Sequence, residues 1–520
     1  MKRFWLVMLS LGLVLAFSAS AMAVDVKFSG SYYAAGMYLD KTTLNKNSYS
    51  ITSSFTTVAN LASLATYTSL YGSAAAYASA AAFATMGITG NSGNSTAFYY
   101  QRLRVGTDFI VSPGLKLVTR FDALERIWGA TRTAGGTAYD NGSIGTRAES
   151  ENIAFDLAYI EYISPIGLFR VGYQTDGAWG TIFGNNDING GSVPKLTYAL
   201  PIGPATIVAN YVKGAERSYS YVNTTQVATD RDYDKYYLGG TYNVNKDIQL
   251  GLLGVYYRIA YQKGVMDINT PGLALYPTSP MFAQAFAVSP YAKAKFGPVT
   301  IEAEGVYAFG QIDWEDNNPT GNATMKIENA SAYLNVMADF KMVYVGGTVA
   351  WVSGDDPGTT DKLEGGIADG GKDWNPTLIM FNYDRSYWAG SLKGYPFNFN
   401  ASPYVQGTEA LMGGSSGSLS NGSPMMNAYL FQGQVGVRPI AALDINFSLT
   451  YANADKKPRD VLNNSLGWEA DVTGIYKITN NLTYMLGAGY FWTGAYYQGT
   501  SNTNDVQNTY ILVNKLTLTF

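Results

Sequence analysis

Residues Gln507–Phe520 read QNTYILVNKLTLTF. Tyr510, Leu512, Leu516, Leu518 and Phe520 share one parity; Ile511, Val513, Lys515, Thr517 and Thr519 share the other. Successive side chains of a strand point to opposite faces. One face of this strand is therefore apolar apart from Asn514, while the other turns polar towards its end. In a soluble sandwich such a strand would be an exposed apolar edge, which templates aggregation. In a closed membrane barrel it pairs with the first strand, and its apolar face meets lipid. The alternation predicts that Tyr510, Leu512, Leu516, Leu518 and Phe520 face lipid, and that the strand closes a barrel against Val26–Leu39.

The same two-residue period runs through most of the chain. Amphipathic segments alternate with connections of two very different lengths. Short turns sit at Ser112–Gly114, Ser164–Gly167, Pro201–Pro204, Asn245–Asp247, Gly297–Pro298, Phe340–Lys341, Arg438–Pro439 and Asn480–Asn481. Every long connection falls at the other end. The pattern predicts an all-β, transmembrane antiparallel β-barrel of about 18 strands, with short periplasmic turns and long extracellular loops. A soluble all-β protein has no reason to gather its long loops at one end.

Composition narrows the chemistry. The 520 residues include no Cys and no His, so disulfides, thiolate metal sites, Ser-His catalysis and H-E-x-x-H zinc sites are excluded. No catalytic residue, metal ligand or cofactor is expected. Charged residues are 14%, well below the roughly 25% of ordinary soluble domains. Tyr (41) and Gly (56) are abundant. Residues 1–23 read as a signal peptide: Lys2 and Arg3, an apolar core from Trp5 to Phe17, then Ala21-Met22-Ala23 as cleavage site. Removing that leader leaves 33 basic and 39 acidic residues, a net charge of −6, which argues against nucleic-acid binding. The barrel is then expected to span residues 24–520.

Two long insertions interrupt it, at 41–97 and 355–425. Residues 47–101 contain no Asp, Glu, Lys or Arg. Within them Leu61, Leu64, Tyr67, Leu70 and Tyr71 fall near helical spacing, so a helical loop over the mouth or inside the lumen competes with a low-complexity coil. The second insertion carries Asp355, Asp356, Asp361, Glu364, Asp369 and Asp373, followed by Trp374, Phe381, Tyr383, Tyr387 and Trp388. It lacks the D-x-[DN]-x-[DN]-G pattern of a calcium loop. Its aromatic part is expected to pack inside the barrel.

Parity also predicts the lumen. Leu103, Val105 and Phe109 share one face of their strand, leaving Arg102, Arg104 and Asp108 inward. Leu115, Leu117, Phe121 and Ile127 are expected outward, with Lys116, Arg120, Asp122 and Arg126 inward. Phe169, Val171 and Tyr173 outward leave Arg170 inward. Arg102, Arg104, Lys116, Arg120, Arg126 and Arg170 thus form a basic ladder on one wall. Glu302, Glu304, Glu469 and Asp471 are expected to line the opposite, acidic side, with Lys293 and Lys295 across a turn from the Glu302 pair. Such walls set up a transverse field, and charge at a narrow point sets ion selectivity.

The terminal Phe after alternating apolar residues resembles the ending of Gram-negative outer-membrane barrels. Leu466–Asp471 with Tyr476, Asn481, Leu482 and Gly487–Phe491 resembles the C-terminal hairpin of the alginate-export-like family of 18-stranded outer-membrane barrels. That resemblance implies a monomeric channel for anionic polysaccharide with a basic lumen. The ladder from Arg102 to Arg170 fits this, whereas Glu302, Glu304, Glu469 and Asp471 do not. The expectation is a porin in the cell outer membrane of a Gram-negative bacterium, not an enzyme, passing small hydrophilic solutes and ions. Alternatives are a dedicated conduit for an anionic saccharide, or a scaffold barrel for an electron-transfer conduit or adhesin. The expected partners are outer-membrane lipid and lipopolysaccharide, the barrel-assembly machinery during biogenesis, and, left open, further copies of the chain as a homo-oligomer.

Overall fold

The computed structural model describes residues 24–46, 49–50, 89–90, 95–129, 153–216, 232–261, 281–314, 324–359, 361–366, 368–390, 392, 394–395, 425–457 and 461–520. Residues 1–23, expected to be a signal peptide, and nearly all of insertion 41–97, including its helical-spacing residues, lie outside them.

Nineteen strands join one sheet. One is the two-residue Lys362–Leu363, laid parallel to Lys326–Ile327. The other eighteen close into an antiparallel barrel: β1 (Asp25–Leu39), β2 (Thr96–Ser112), β3 (Leu115–Ile127), β4 (Ala154–Ser164), β5 (Gly167–Thr175), β6 (Ser192–Ile202), β7 (Ala205–Ala215), β8 (Tyr233–Asn245), β9 (Ile248–Tyr261), β10 (Met281–Phe296), β11 (Val299–Trp314), β12 (Thr324–Asp339), β13 (Val343–Val352), β14 (Ala428–Ile440), β15 (Leu443–Ala454), β16 (Ser465–Lys477), β17 (Leu482–Thr493) and β18 (Thr509–Thr519). Sequential strands pair throughout, so no connection crosses another.

Closure occurs where the terminal stretch predicts it. β18 pairs antiparallel with β1, from Ser31 opposite Thr519 to Leu39 opposite Ile511. Phe520 and Gly30 exchange backbone hydrogen bonds at 2.8 and 3.0 Å. The Phe520 ring packs where a Cβ on Gly30 would stand, 2.8 Å from that position, so this corner needs a glycine. Tyr510, Leu512, Leu516, Leu518 and Phe520 lie on the exposed outer face, and Ile511 and Val513 are buried inside.

β10 shows why the outer surface suits a bilayer. From Phe286 to Phe296 its outward row is Phe286, Val288, Pro290, Ala292, Ala294 and Phe296, with no polar member. At about 3.4 Å per residue and a tilt near 40°, the interval between the two Phe rings spans ~26 Å along the axis, close to the ~25 Å apolar band of such barrels. Phe286 also belongs to a horizontal aromatic row. Tyr211, Tyr236, Tyr256, Phe286 and Phe309 are successive register partners on β7 to β11. Their ring centroids lie 5.3, 6.1, 4.9 and 5.8 Å apart. Aromatic girdles of this kind sit at membrane–water interfaces.

Two segments depart from the expected pattern. β3 carries a bulge at Leu124, whose φ is 51°. An extra residue moves every later side chain to the other face. Glu125 and Ile127 therefore point inward and are buried, and Arg126, expected inside, takes the outward phase. The segment expected as one strand from Leu482 to Tyr497 stops at Thr493. After Gly494 the chain makes a 3₁₀ turn over Ala495–Gln498, which turns Tyr497 into the interior against Phe491 (6.0 Å).

The main hydrophobic cluster lies inside the barrel, where the second insertion packs against the strands. Ile379, Met380, Phe381, Trp388 and Leu392 pack on the inner faces of β1, β2, β13–β15 and β17–β18, against Met37, Tyr100, Val352, Leu430, Phe491 and Ile511. The insertion contains a short helix, α1 (Tyr383–Ala389). Asn382 caps it by accepting from the Arg385 amide at 2.7 Å, and Gly390 ends it at φ 77°. The aromatic part of this loop does pack inside, as its composition suggests.

Candidate functional site

The inner wall from β2 to β9 carries charges of both signs. Interior-facing positions alternate with exterior ones along every strand, so successive strands stack their polar residues. Arg104 makes a two-pronged pair with its register partner Asp122, both contacts 2.7 Å, and reaches Asp156 at 3.3 Å. Arg120 holds Asp156 at 2.6 Å. Lys116 sits 2.8 Å from Asp108 and 3.4 Å from Glu161, which Arg170 grips at 2.8 Å. Arg102 lies 3.7 Å from Glu125, with its guanidinium 5.2 Å from the Tyr33 ring centroid. Thus Arg102, Arg104, Lys116, Arg120 and Arg170 do come together on one wall, and Arg126 does not join them. The wall is a zipper of ion pairs rather than a run of free cations. Planar Arg–carboxylate forks of this kind fix both partners.

The zipper continues past the predicted ladder. Lys235 pairs with Asp176, which also accepts from the Tyr237 hydroxyl at 2.9 Å. The Lys195 ammonium lies 5.9 Å from the Tyr237 ring centroid. The ladder expected from the sequence ends at Arg170 and omits Lys195 and Lys235. The signal for them is present in the chain: the two-residue rule that places Arg170 inward, carried on through β6 and β8, places Lys195 and Lys235 inward as well.

The residues expected to form an acidic wall have other occupations. Glu304 is buried and accepts from the Thr181 amide (2.6 Å) and hydroxyl (2.7 Å). It thereby anchors the loop 176–191, which reaches across from β5. Gly180, at φ 72°, passes too close to that carboxylate to tolerate a Cβ. Glu469 is fully buried, and its two oxygens accept from the amides of Ile379 (2.5 Å) and Met380 (2.7 Å). Asp471 accepts from Leu378 at 3.4 Å. These two carboxylates clamp the inserted loop instead of facing an open channel. Glu302 is the register partner of Lys293, but the Lys293 ammonium lies over the Tyr291 ring at 5.6 Å. Among the described residues, no ion pair within 4.0 Å joins Lys293, Lys295 and Glu302. They line a cavity of about 530 Å³ with Asn243, Lys246 and Asn335, at the short-turn end.

The two loops meet inside the barrel. Gly371 donates to the Phe183 carbonyl at 2.5 Å. The Asp373 carboxylate accepts from the Ile188 and Asn189 amides, both 2.9 Å, and from the Asn185 side chain at 3.1 Å. Phe183 stacks on Tyr333 (4.9 Å, 6°) with Trp374 edge-on (5.0 Å, 74°). α1 is tied to the wall by Tyr387, whose hydroxyl donates to Glu125 at 2.7 Å, and by Asp384, 3.5 Å from Lys515. Lys515 also lies 4.2 Å from the Tyr33 ring centroid, so it belongs to the loop contact.

Between the loops and the ladder there remains a polar cavity of about 240 Å³, lined by Tyr33, Arg102, Arg104, Asp122, Asp156, Lys372, Tyr383, Asp384 and Tyr387 with residues 188–191. The lumen is thus apolar and filled on the β13–β18 side, and charged on the β2–β9 side. Among the described residues no group of three or more Asp or Glu is arranged to hold a metal ion.

No family model matches the chain, and no curated protein matches it. Several solved outer-membrane barrels align over nearly the whole length at low identity. OccK8 (OprE) of Pseudomonas aeruginosa aligns over 95% of this chain and 98% of its own at 11% identity and a TM-score of 0.44. A BenF-like porin from Pseudomonas fluorescens Pf-5 aligns over 95% and 99%, at 10% and 0.46. The outer membrane channel DcaP of Acinetobacter baumannii aligns over 96% and 99%, at 12% and 0.38.

Proposed function

We propose that the protein is an outer-membrane porin that passes small hydrophilic solutes and ions by diffusion, with no chemical step. The observation that carries this reading is the charged, polar cavity left open between an ion-paired inner wall and loops folded into a barrel with an apolar outer surface. A scaffold has no need of an asymmetric lumen, whereas a channel needs a wet path and a constriction. Arg102, Arg104, Lys116, Arg120 and Arg170 line that path in this reading, and Tyr510, Leu512, Leu516, Leu518 and Phe520 meet lipid. The chain spans the outer membrane of a Gram-negative cell after removal of residues 1–23, and lipopolysaccharide contacts the extracellular girdle. Against a conduit for an anionic polysaccharide, which the resemblance of the last hairpin implies, Arg102, Arg104, Lys116, Arg120 and Arg170 each already hold a carboxylate.

Single-channel recording in planar bilayers tests the proposal. Steady stepwise conductance is expected from the purified, refolded protein. A protein that inserts but passes no current refutes it.

A further inference from the structure

The ion pairs around the 240 Å³ cavity close on themselves. Arg102 is matched by Glu125 (3.7 Å), Arg104 by Asp122 (2.7 Å), Arg120 by Asp156 (2.6 Å) and Lys515 by Asp384 (3.5 Å). A matched pair presents a dipole, whose field falls off faster than that of a single charge. These residues shape the cavity but add no net charge to it.

Lys372 is the exception. It lines the same cavity from the loop side. Its ammonium lies 5.4 Å from the Tyr383 ring centroid, and among the described residues it has no carboxylate within 4.0 Å. Its backbone is pinned on both sides: its own amide donates to Asn186 at 2.8 Å, Gly371 bonds Phe183, and Asp373 is seated on the 185–189 turn. The Asp373 carboxylate is taken up by amides of that turn and is not part of the cavity lining. A cation held by a fixed backbone, over an aromatic face and with no carboxylate in ion-pair range, is the strongest unbalanced charge on this stretch of the lumen.

We infer that Lys372, rather than the arginine ladder, sets the charge selectivity of the pore, making it favour small anions. The inference rests on the porin reading and deepens it. The ladder supplies rigidity and width; the loop supplies the sign.

The test is the reversal potential of the reconstituted full-length protein under a KCl gradient. The wild type is expected to pass chloride more readily than potassium. Lys372→Gln should lower the chloride-to-potassium permeability ratio about thirty-fold, the Boltzmann weight of a unit charge roughly 4 Å away in water counted once for the anion it attracts and once for the cation it repels. Lys372→Glu should bring the ratio below one, and Lys372→Arg should keep the wild-type value. A conducting wild type that is cation-selective, or whose reversal potential is unchanged in both Lys372→Gln and Lys372→Glu, overturns the assignment while leaving the porin reading intact. A wild type that inserts without conducting overturns both.

Discussion

Replacing Glu469 by Gln should release the inserted loop from the barrel wall. The Glu469 carboxylate is fully buried and accepts from two consecutive amides, Ile379 at 2.5 Å and Met380 at 2.7 Å. Hydrogen bonds to a charged group contribute about 1.5–3 kcal/mol each. An amide side chain can accept one of them, but its own NH₂ then opposes the other donor. The variant loses one strong bond and leaves a buried N–H unpaired, a cost of about 2–4 kcal/mol. At about 1.4 kcal/mol per decade that raises the open population of the loop roughly 30- to 700-fold. The absence of cysteine makes this measurable. Ala389, 1% exposed on α1, can be replaced by Cys as a single reporter. Its maleimide labelling rate follows the local opening equilibrium when opening is fast. The expected result is labelling faster by one to three decades in Ala389→Cys/Glu469→Gln than in Ala389→Cys alone, with barrel content unchanged by circular dichroism. Equal rates would refute the view that Glu469 clamps the loop.

Deleting Phe520 removes both backbone bonds to Gly30 and the ring that covers it, so the folded fraction judged by heat-modifiable gel mobility should drop. Lys515→Gln should assemble normally, as the parity of its strand leads one to expect. Because Lys515 sits 4.2 Å from the Tyr33 ring and 3.5 Å from Asp384, it should also raise labelling of the Ala389→Cys reporter about two- to five-fold, from a partly exposed pair and a cation–π contact. Asp369 is pushed up to about 7 by burial, with Lys372 pulling the other way. Its carboxylate is neutral below that pH and charged above it, so the chloride-to-potassium ratio should rise as pH falls from 8 to 6. Asp369→Asn should flatten that dependence; a slope that persists in the variant would place the titrating group elsewhere.

Much of the barrel is legible in the chain because lipid on one side and a lumen on the other impose a two-residue period that nothing else in a protein requires over so many segments. Gln507–Phe520 carries that period with Asn514 as the one polar residue on its lipid-facing side, and its partner β1 follows from closure. The short turns are legible too: Gly114, Gly203 and Gly297 sit at positive φ within them, where a side chain would be strained. The failure at Arg126 and Ile127 has a local cause. Leu124 gives no warning of a bulge, since a leucine at φ 51° is rare, and the phase slips there unannounced.

The candidate site is a different matter. Parity says which face a side chain takes, but not which residue stands opposite it. Arg104 and Asp122 pair because the β2–β3 register places them face to face, and Glu161 links Lys116 to Arg170 for the same reason across β3, β4 and β5. Only the register reveals that the ladder is neutral. Nor does any local pattern join Glu469 to Ile379 and Met380, Glu304 to Thr181, or Asp373 to Ile188. Those contacts bridge residues far apart in the chain, and they exist because the barrel brings distant strands around a common interior into which the loops fold. The barrel, its inside and outside, and the seam where it closes are all written in the order of residues, since each depends on alternation along single strands. Which charges stay unbalanced inside is not, since that depends on register between strands and on loops that cross the lumen.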